Sequence, residues 1–123
     1  LKFLTFGSNS NLRSIGAKAF QYSGVEHIEF PESLVKIEER AFAGCAALRS
    51  VKFPPRMNKD GFGKRTFQRC AALTALAIPE GIEIIPEYFC KSCSNLKNLT
   101  LPESLIYIGE CAFFSAQLLS SIT

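Results

Sequence analysis

The sequence contains a single histidine, His27. With one imidazole in the chain, no serine or cysteine outside its immediate surroundings can be supplied with a histidine base, and no cluster of histidines can build a metal site. No apolar run reaches the ~20 residues that a bilayer-spanning helix needs, and the first residues lack the charged-then-apolar order of a signal peptide. Glycine- and serine-rich tracts are missing as well, so no flexible linker divides the chain. Apolar residues make up 47% and charged residues 20% of the 123 positions, a balance that suits folded rather than disordered material.

What the sequence does contain is one pattern, repeated. The stretch from Val25 to Cys45 orders its apolar residues as Val25, Ile28 and Phe30, then Pro31, Leu34 and Ile37, then Ala41, Phe42 and Cys45. The same order returns through Leu48, Val51, Phe53, Pro54, Met57, Phe62, Phe67 and Cys70, through Leu73, Leu76, Ile78, Pro79, Ile82, Ile85 and Cys93, and through Leu96, Leu99, Leu101, Pro102, Leu105, Ile108 and Phe113. Pro31, Pro54, Pro79 and Pro102 are 23, 25 and 23 residues apart, the long interval arising from two extra residues in M-N-K-D-G-F-G-K-R. The first unit departs in its turn, where G-S-N-S-N replaces proline, and is one residue shorter between Phe20 and Val25.

Within each unit, V-x-x-I-x-F alternates as a short strand with Ile28 and Phe30 inward and His27 and Glu29 outward. Proline ends it, having no N–H for a ladder. A second extended segment carries Leu34 and Ile37, and E-E-R-A-F-A-G-C predicts one or two helical or 3₁₀ turns leading back to the next strand. One such unit cannot bury its apolar face alone, and stacking makes a solenoid. Equivalent strands about 4.8 Å apart predict one six-stranded parallel sheet roughly 25 Å across. Its outward columns read Thr5, Glu29, Lys52, Ala77, Thr100, Thr123 and Phe3, His27, Ser50, Ala75, Asn98, Ser121. Residues 1–123 form one array of about five units, expected to belong to a longer protein because Leu1–Phe6 and Leu119–Thr123 read as parts of units.

The segment L-K-N-L-T-L-P-E-S-L-I-Y-I-G-E-C-A-F, from Leu96 to Phe113, resembles the repeat of the BspA-like, or Treponema pallidum-type, leucine-rich repeat family. The resemblance covers the whole chain. It departs at Y-F-C, where Phe89 and Cys90 stand in place of the motif's Ala and Phe, and at Ala116, which replaces the motif cysteine. It implies a leucine-rich repeat superhelix of units of about 23 residues, with a parallel sheet on one face and short helical or 3₁₀ turns on the other. It also implies a non-catalytic protein-interaction module, exposed on a cell surface or secreted and acting in adhesion to matrix or cell-surface proteins. The family has no catalytic residues to carry over.

Candidate contacts are therefore the outward strand positions that differ between units: His27, Glu29, Ser50, Lys52, Asn98 and Thr100. An alternative site lies in the basic coil 49–69, where seven basic residues face Asp60 alone while the rest of the chain has seven basic and ten acidic residues. Arg56, Lys59, Lys64, Arg65 and Arg69, with Lys52, would there meet a sulfated polysaccharide, an acidic protein or an anionic lipid surface. No nucleic-acid module accompanies the charge. A third reading is a structural spacer.

Cys45, Cys70 and Cys93 share one repeat position and are expected as buried free thiols. Cys90-Lys-Ser-Cys93 is a lone C-x-x-C with neither a second pair nor a nearby histidine, so neither metal nor redox work is expected, and no cofactor is called for. Asn98-Leu-Thr100 matches a glycosylation sequon, on a strand rather than a loop. Free thiols favour a reducing interior, leaving the cytoplasm as the alternative to a surface location.

Overall fold

The computed structural model describes residues 2–7, 9–117 and 119–123. Leu1, assigned to the first strand, and Ser8, in the G-S-N-S-N turn, lie outside them. Ten short strands follow the chain: β1 (Phe3–Leu4), β2 (Ser14–Ile15), β3 (His27–Glu29), β4 (Lys36–Ile37), β5 (Ser50–Lys52), β6 (Ala75–Ala77), β7 (Ile84–Ile85), β8 (Asn98–Thr100), β9 (Tyr107–Ile108) and β10 (Ser121–Ile122). All ladders are parallel and join one coil to the next, giving a right-through stack of coils with its core inside.

The strand face has the register expected of the repeat. Phe3 pairs with His27 and His27 with Ser50, Glu29 pairs with Lys52, Ala75 with Asn98, and Ala77 with Thr100. Its continuity differs from expectation. The face consists of two three-stranded sheets, β1-β3-β5 and β6-β8-β10, and no ladder joins β5 to β6. The seam falls in the longest coil, where 25 residues separate Ser50 from Ala75, against 23 from Ala75 to Asn98. Backbone pairing between these coils resumes beyond the strands, at Arg56 and Glu80, where Met57 N–H donates to Glu80 O at 3.1 Å.

The turn segments also differ in kind. Among the described residues no helix forms. The expected helical or 3₁₀ turns are isolated i→i+3 turns, such as Ala41 N–H to Glu38 O, Ala43 N–H to Arg40 O and Cys45 N–H to Phe42 O, each at 3.2 Å. Every coil carries a pair of left-handed residues four apart: Lys18 and Tyr22, Arg40 and Gly44, Arg65 and Arg69, Tyr88 and Ser92, Cys111 and Ser115. A helix would spend its amides on itself. This alternating backbone turns every second amide toward the next coil instead, as in Phe20 N–H to Ala41 O at 2.8 Å, Phe42 N–H to Thr66 O at 3.0 Å and Phe67 N–H to Phe89 O at 2.8 Å. The coils are thus tied by main chain on the turn side too, which meets the hydrogen-bonding demand of a buried backbone.

The core follows the apolar repeat, except in the last full coil, where Ile108 is exposed and Leu105 and Phe113 are only partly buried. Val25, Leu34, Ile37, Phe42, Leu48, Phe67, Leu73, Ile82, Ile85 and Leu96 are fully buried. Phenylalanines stack from coil to coil, Phe20 on Phe42 with centroids 5.2 Å apart and Phe42 on Phe67 at 5.7 Å, beside a second row of Phe6, Phe30 and Phe53. Burying each such ring contributes about 1.5–3 kcal/mol. At Y-F-C the backbone puts Phe89 in the alanine slot and Cys90 in the ring slot, as the motif comparison anticipates. The large and small side chains exchange places, and Phe89 packs on Phe62 at 4.8 Å and on Phe67 at 5.5 Å. Total volume is conserved, so the coil closes. Thr66, in the same slot, is fully buried and satisfies its hydroxyl on Gly63 O at 2.6 Å. Gly63 follows Phe62, bridged to Ile37, and Gly109 follows β9, where a Cβ would collide with the backbone of Glu39 and Glu87 respectively.

Candidate interaction surface

On the strand face the N-terminal sheet carries an ordered row of side chains. The exposed Phe3 ring stacks on His27, with centroids 4.7 Å apart and 21° between planes. His27 Nδ1 lies 2.7 Å from Ser50 Oγ. The row therefore runs Phe3–His27–Ser50 across three coils, with Glu29 opposite Lys52 in the next row. Between the rows lies a groove of about 260 Å³ lined by Phe3, Thr5, His27, Glu29, Ser50 and Lys52. A second hollow of about 370 Å³ shares Thr5 and Glu29 and continues past Phe30 and Pro31 to Ser33.

The other strand-face candidates, Asn98 and Thr100, lie beyond the seam on β8. Their neighbours Ala75 and Ala77 are small, and Thr100 Oγ1 meets Thr123 Oγ1 at 3.4 Å. The six residues picked from the strand pattern thus form two groups on separate sheets. Leu99 between the sequon residues is buried, with Asn98 and Thr100 exposed on either side.

The basic coil is distributed around the circumference. Lys52 belongs to the strand groove, while Arg56 packs against the next coil beside Gly81. Lys59 offers its carbonyl to Glu83 and Ile84 N–H, and the Lys64 ammonium pairs with Glu87 at 3.1 Å. Only Arg65 and Arg69 come together, on the turn face, where they share a hollow of about 260 Å³ with Arg40, Tyr22, Gln21 and Gln68. Gln21, Tyr22 and Arg40 escape a reading of charge along the basic coil because they belong to two other coils. The signal that finds Arg40 is the offset two residues before the core phenylalanine: Lys18 before Phe20, Arg40 before Phe42, Arg65 before Phe67.

The cysteines divide differently from expectation. Cys45 and Cys70 are buried free thiols whose Sγ donate to Phe20 O and Phe42 O at 3.1 and 3.3 Å. Burial pushes both thiols above their ordinary range, and at Cys70 the neighbouring Cys45 adds to the rise. Cys93 holds the equivalent place, but it is not free: it forms a disulfide with Cys90. The cause is the exchange at Y-F-C. It sets a second cysteine in the ring slot three residues away, with a Cα–Cα distance of 5.6 Å that lies within disulfide range. In the other coils that slot holds Phe42 or Phe67, and no second sulfur is available.

Parallel coils of this length, with a leucine- and isoleucine-filled interior and a laddered strand face, define a leucine-rich repeat solenoid. The chain belongs to the BspA type leucine rich repeat region family, whose model matches residues 13–123 in six copies. Three solved structures share the fold. A leucine rich repeat protein of T. pallidum is 24% identical with a TM-score of 0.89, covering 98% of this chain and 57% of that one. A leucine rich cell surface protein of Faecalibacterium prausnitzii is 26% identical with a TM-score of 0.84, covering 98% and 31%. A leucine-rich repeat protein of Bacteroides ovatus is 22% identical with a TM-score of 0.74, covering 99% and 37%. The chain therefore spans little more than half of the first of these and about a third of the others. Among curated proteins no significant match is found. Family membership makes the chain a protein-interaction module of a generally non-catalytic class, and no helix among the described residues is long and apolar enough to cross a membrane.

Proposed function

We propose that this solenoid is an adhesion module that holds a protein partner, of the extracellular matrix or of another cell's surface, against the strand face of its first three coils. The observation that carries the reading is the Phe3–His27–Ser50 row. A ring stack and a hydrogen bond hold three outward side chains in place before any partner arrives, and that lowers the ordering cost of binding. Phe3 supplies exposed aromatic area, which interfaces favour, and Glu29 and Lys52 offer charges of both signs at the groove rim. A surface location agrees with the relative described as a cell surface protein and with the Cys90–Cys93 disulfide, a bond that persists in oxidising surroundings. Asn98 and Thr100 extend the contact along β8.

The test is solid-phase binding of the purified chain to immobilised basement-membrane proteins and to intact epithelial cells. Replacing Phe3 and His27 together with alanine is expected to weaken binding by about tenfold or more, the scale of hot-spot loss. Asn98→Ala with Thr100→Ala should cost about threefold or less. Undiminished binding by the Phe3/His27 variant would remove the strand face from the interaction. Absence of binding by the native chain to either surface would favour the spacer reading.

A further inference from the structure

The turn face carries a site that the strand-face reading leaves unused. Three arginines from two coils, Arg40, Arg65 and Arg69, line the same hollow of about 260 Å³. Among the described residues neither Arg65 nor Arg69 is paired with a carboxylate. Arg40 reaches only its own neighbour Glu39, at 3.9 Å through Nε. Arg65 lies over the Tyr88 ring, 4.6 Å from its centroid, which holds the fork in place without neutralising it. Like charges gathered in this way repel one another, and an anion seated among them relieves the repulsion.

The backbone makes the cluster persistent. All three arginines occupy left-handed positions, with φ of 58, 60 and 65°, a conformation that is strained for a side-chain-bearing residue and that glycine would fill more cheaply. The turns are clamped by main-chain bonds from coil to coil: Tyr22 N–H to Ala43 O at 2.9 Å, Arg40 N–H to Lys64 O at 3.0 Å and Gly44 N–H to Gln68 O at 2.7 Å. Gly44 is the one place in this hollow where glycine holds the left-handed slot. A Cβ there would collide with the Tyr22 ring, so its absence lets the ring lie across the coil as one wall of the hollow. That ring remains 71% exposed, an apolar face open to a ligand.

The character of the walls selects the ligand. Guanidinium forks match the paired oxygens of sulfate and carboxylate, the Gln21 and Gln68 amides suit hydroxyl groups, and the open aromatic face suits the C–H face of a sugar ring. The basic column continues along the axis, from Lys18 through Arg40 to Arg65, in steps of about 4.8 Å, and Lys91 sits over the Tyr88 and Phe114 rings one coil further on. A linear polymer can follow such a column. We infer that the turn face binds a linear anionic polysaccharide, one charged sugar seated against Tyr22 among Arg40, Arg65 and Arg69. The site faces away from the strand groove, so both partners could be held at once.

The test uses the whole chain and a size-defined heparin oligosaccharide, with affinity read by calorimetry at two salt concentrations. Arg40→Gln, Arg65→Gln and Arg69→Gln are each expected to weaken binding by about tenfold, the loss of a charged hydrogen bond. Tyr22→Ala, which leaves the charge unchanged, is expected to weaken it by about fivefold or more. Arg49→Gln and Lys52→Gln remove the same charge away from the hollow and should change affinity by about twofold or less. Thermal melts of every variant establish that it is folded. Equal losses at Arg49 and Lys52 would overturn the proposal in favour of diffuse attraction. Unchanged affinity in Tyr22→Ala would overturn the sugar assignment, and so would binding of phosphatidylserine vesicles by a chain that ignores the oligosaccharide. Hyaluronan and desulfated heparin as competitors separate carboxylate from sulfate recognition, and competition by neither form nor by intact heparin would also overturn it.

Discussion

Cys70 shows how one buried atom sets a measurable property of the whole chain. Its thiol is fully buried on the Phe42 carbonyl, and desolvation holds its pKa well above that of an unfolded thiol; Cys45 is displaced in the same direction. Both protons stay on in the native state at a pH where the unfolded chain releases them. Stability is therefore at its full value below about pH 8.5, the ordinary thiol range, and falls as pH rises above it. Urea unfolding between pH 7 and 10 should give that decline, with a shallower slope in Cys70→Ala. Thiol titration without reductant should count three sulfhydryls after unfolding, from Cys45, Cys70 and Cys111, with only half-buried Cys111 reacting quickly in the native state. Five after unfolding would remove the disulfide. The shared slot of Cys45, Cys70 and Cys93 was legible because it recurs. The bond at Cys93 was not, because its partner occupies a position that elsewhere belongs to phenylalanine. Arg40 was hidden for a related reason: charge counted along the chain misses residues that a coil of 22–25 positions brings side by side.

At the level of elements, the strand register was fully legible, since proline and the alternating apolar residues mark each strand and a slip would expose the core. The turns were legible only as compact returns. Left-handed positions usually declare themselves through glycine or asparagine; here lysine, arginine, tyrosine, serine and cysteine hold nine of the slots that Gly44 shares. The seam between β5 and β6 was equally hidden, because two added residues in a loop give no sign of which ladder they will interrupt. It has a direct test. In the intact ladder Asn98 N–H donates to Thr74 O at 3.2 Å, whereas the matching amide of Ala75 has no partner on β5. Hydrogen exchange of native protein should therefore release Ala75 and Ala77 well before Asn98 and Thr100. Equal protection of the two pairs would mean that the sheet is continuous in solution.

For the molecule as a whole, the coils behave as neighbours rather than as parts of one central core, and stability is approximately a sum over coils and their interfaces. Removing one coil, residues 75–97, joins Thr74 to Asn98 in register. The shortened chain is expected to remain cooperatively folded, with a urea m-value lower by about one fifth, in proportion to the surface lost. It should still bind the heparin oligosaccharide through Arg40 and Arg69, more weakly because Arg65 loses its Tyr88 stack, and collapse into an unfolded chain would count against the repeat as the unit of stability. The seam has a consequence of another kind. On the turn side the third and fourth coils stay linked, by Phe67 N–H to Phe89 O and Arg69 N–H to Lys91 O, both at 2.8 Å, and past the strands Met57 N–H still reaches Glu80 O, while between β5 and β6 themselves no ladder spans the gap. Under a pull along the axis, resistance missing from the strand edge becomes a bending moment. A tethered solenoid would flex at this joint before any coil unravelled, opening its strand face as a book opens about its spine.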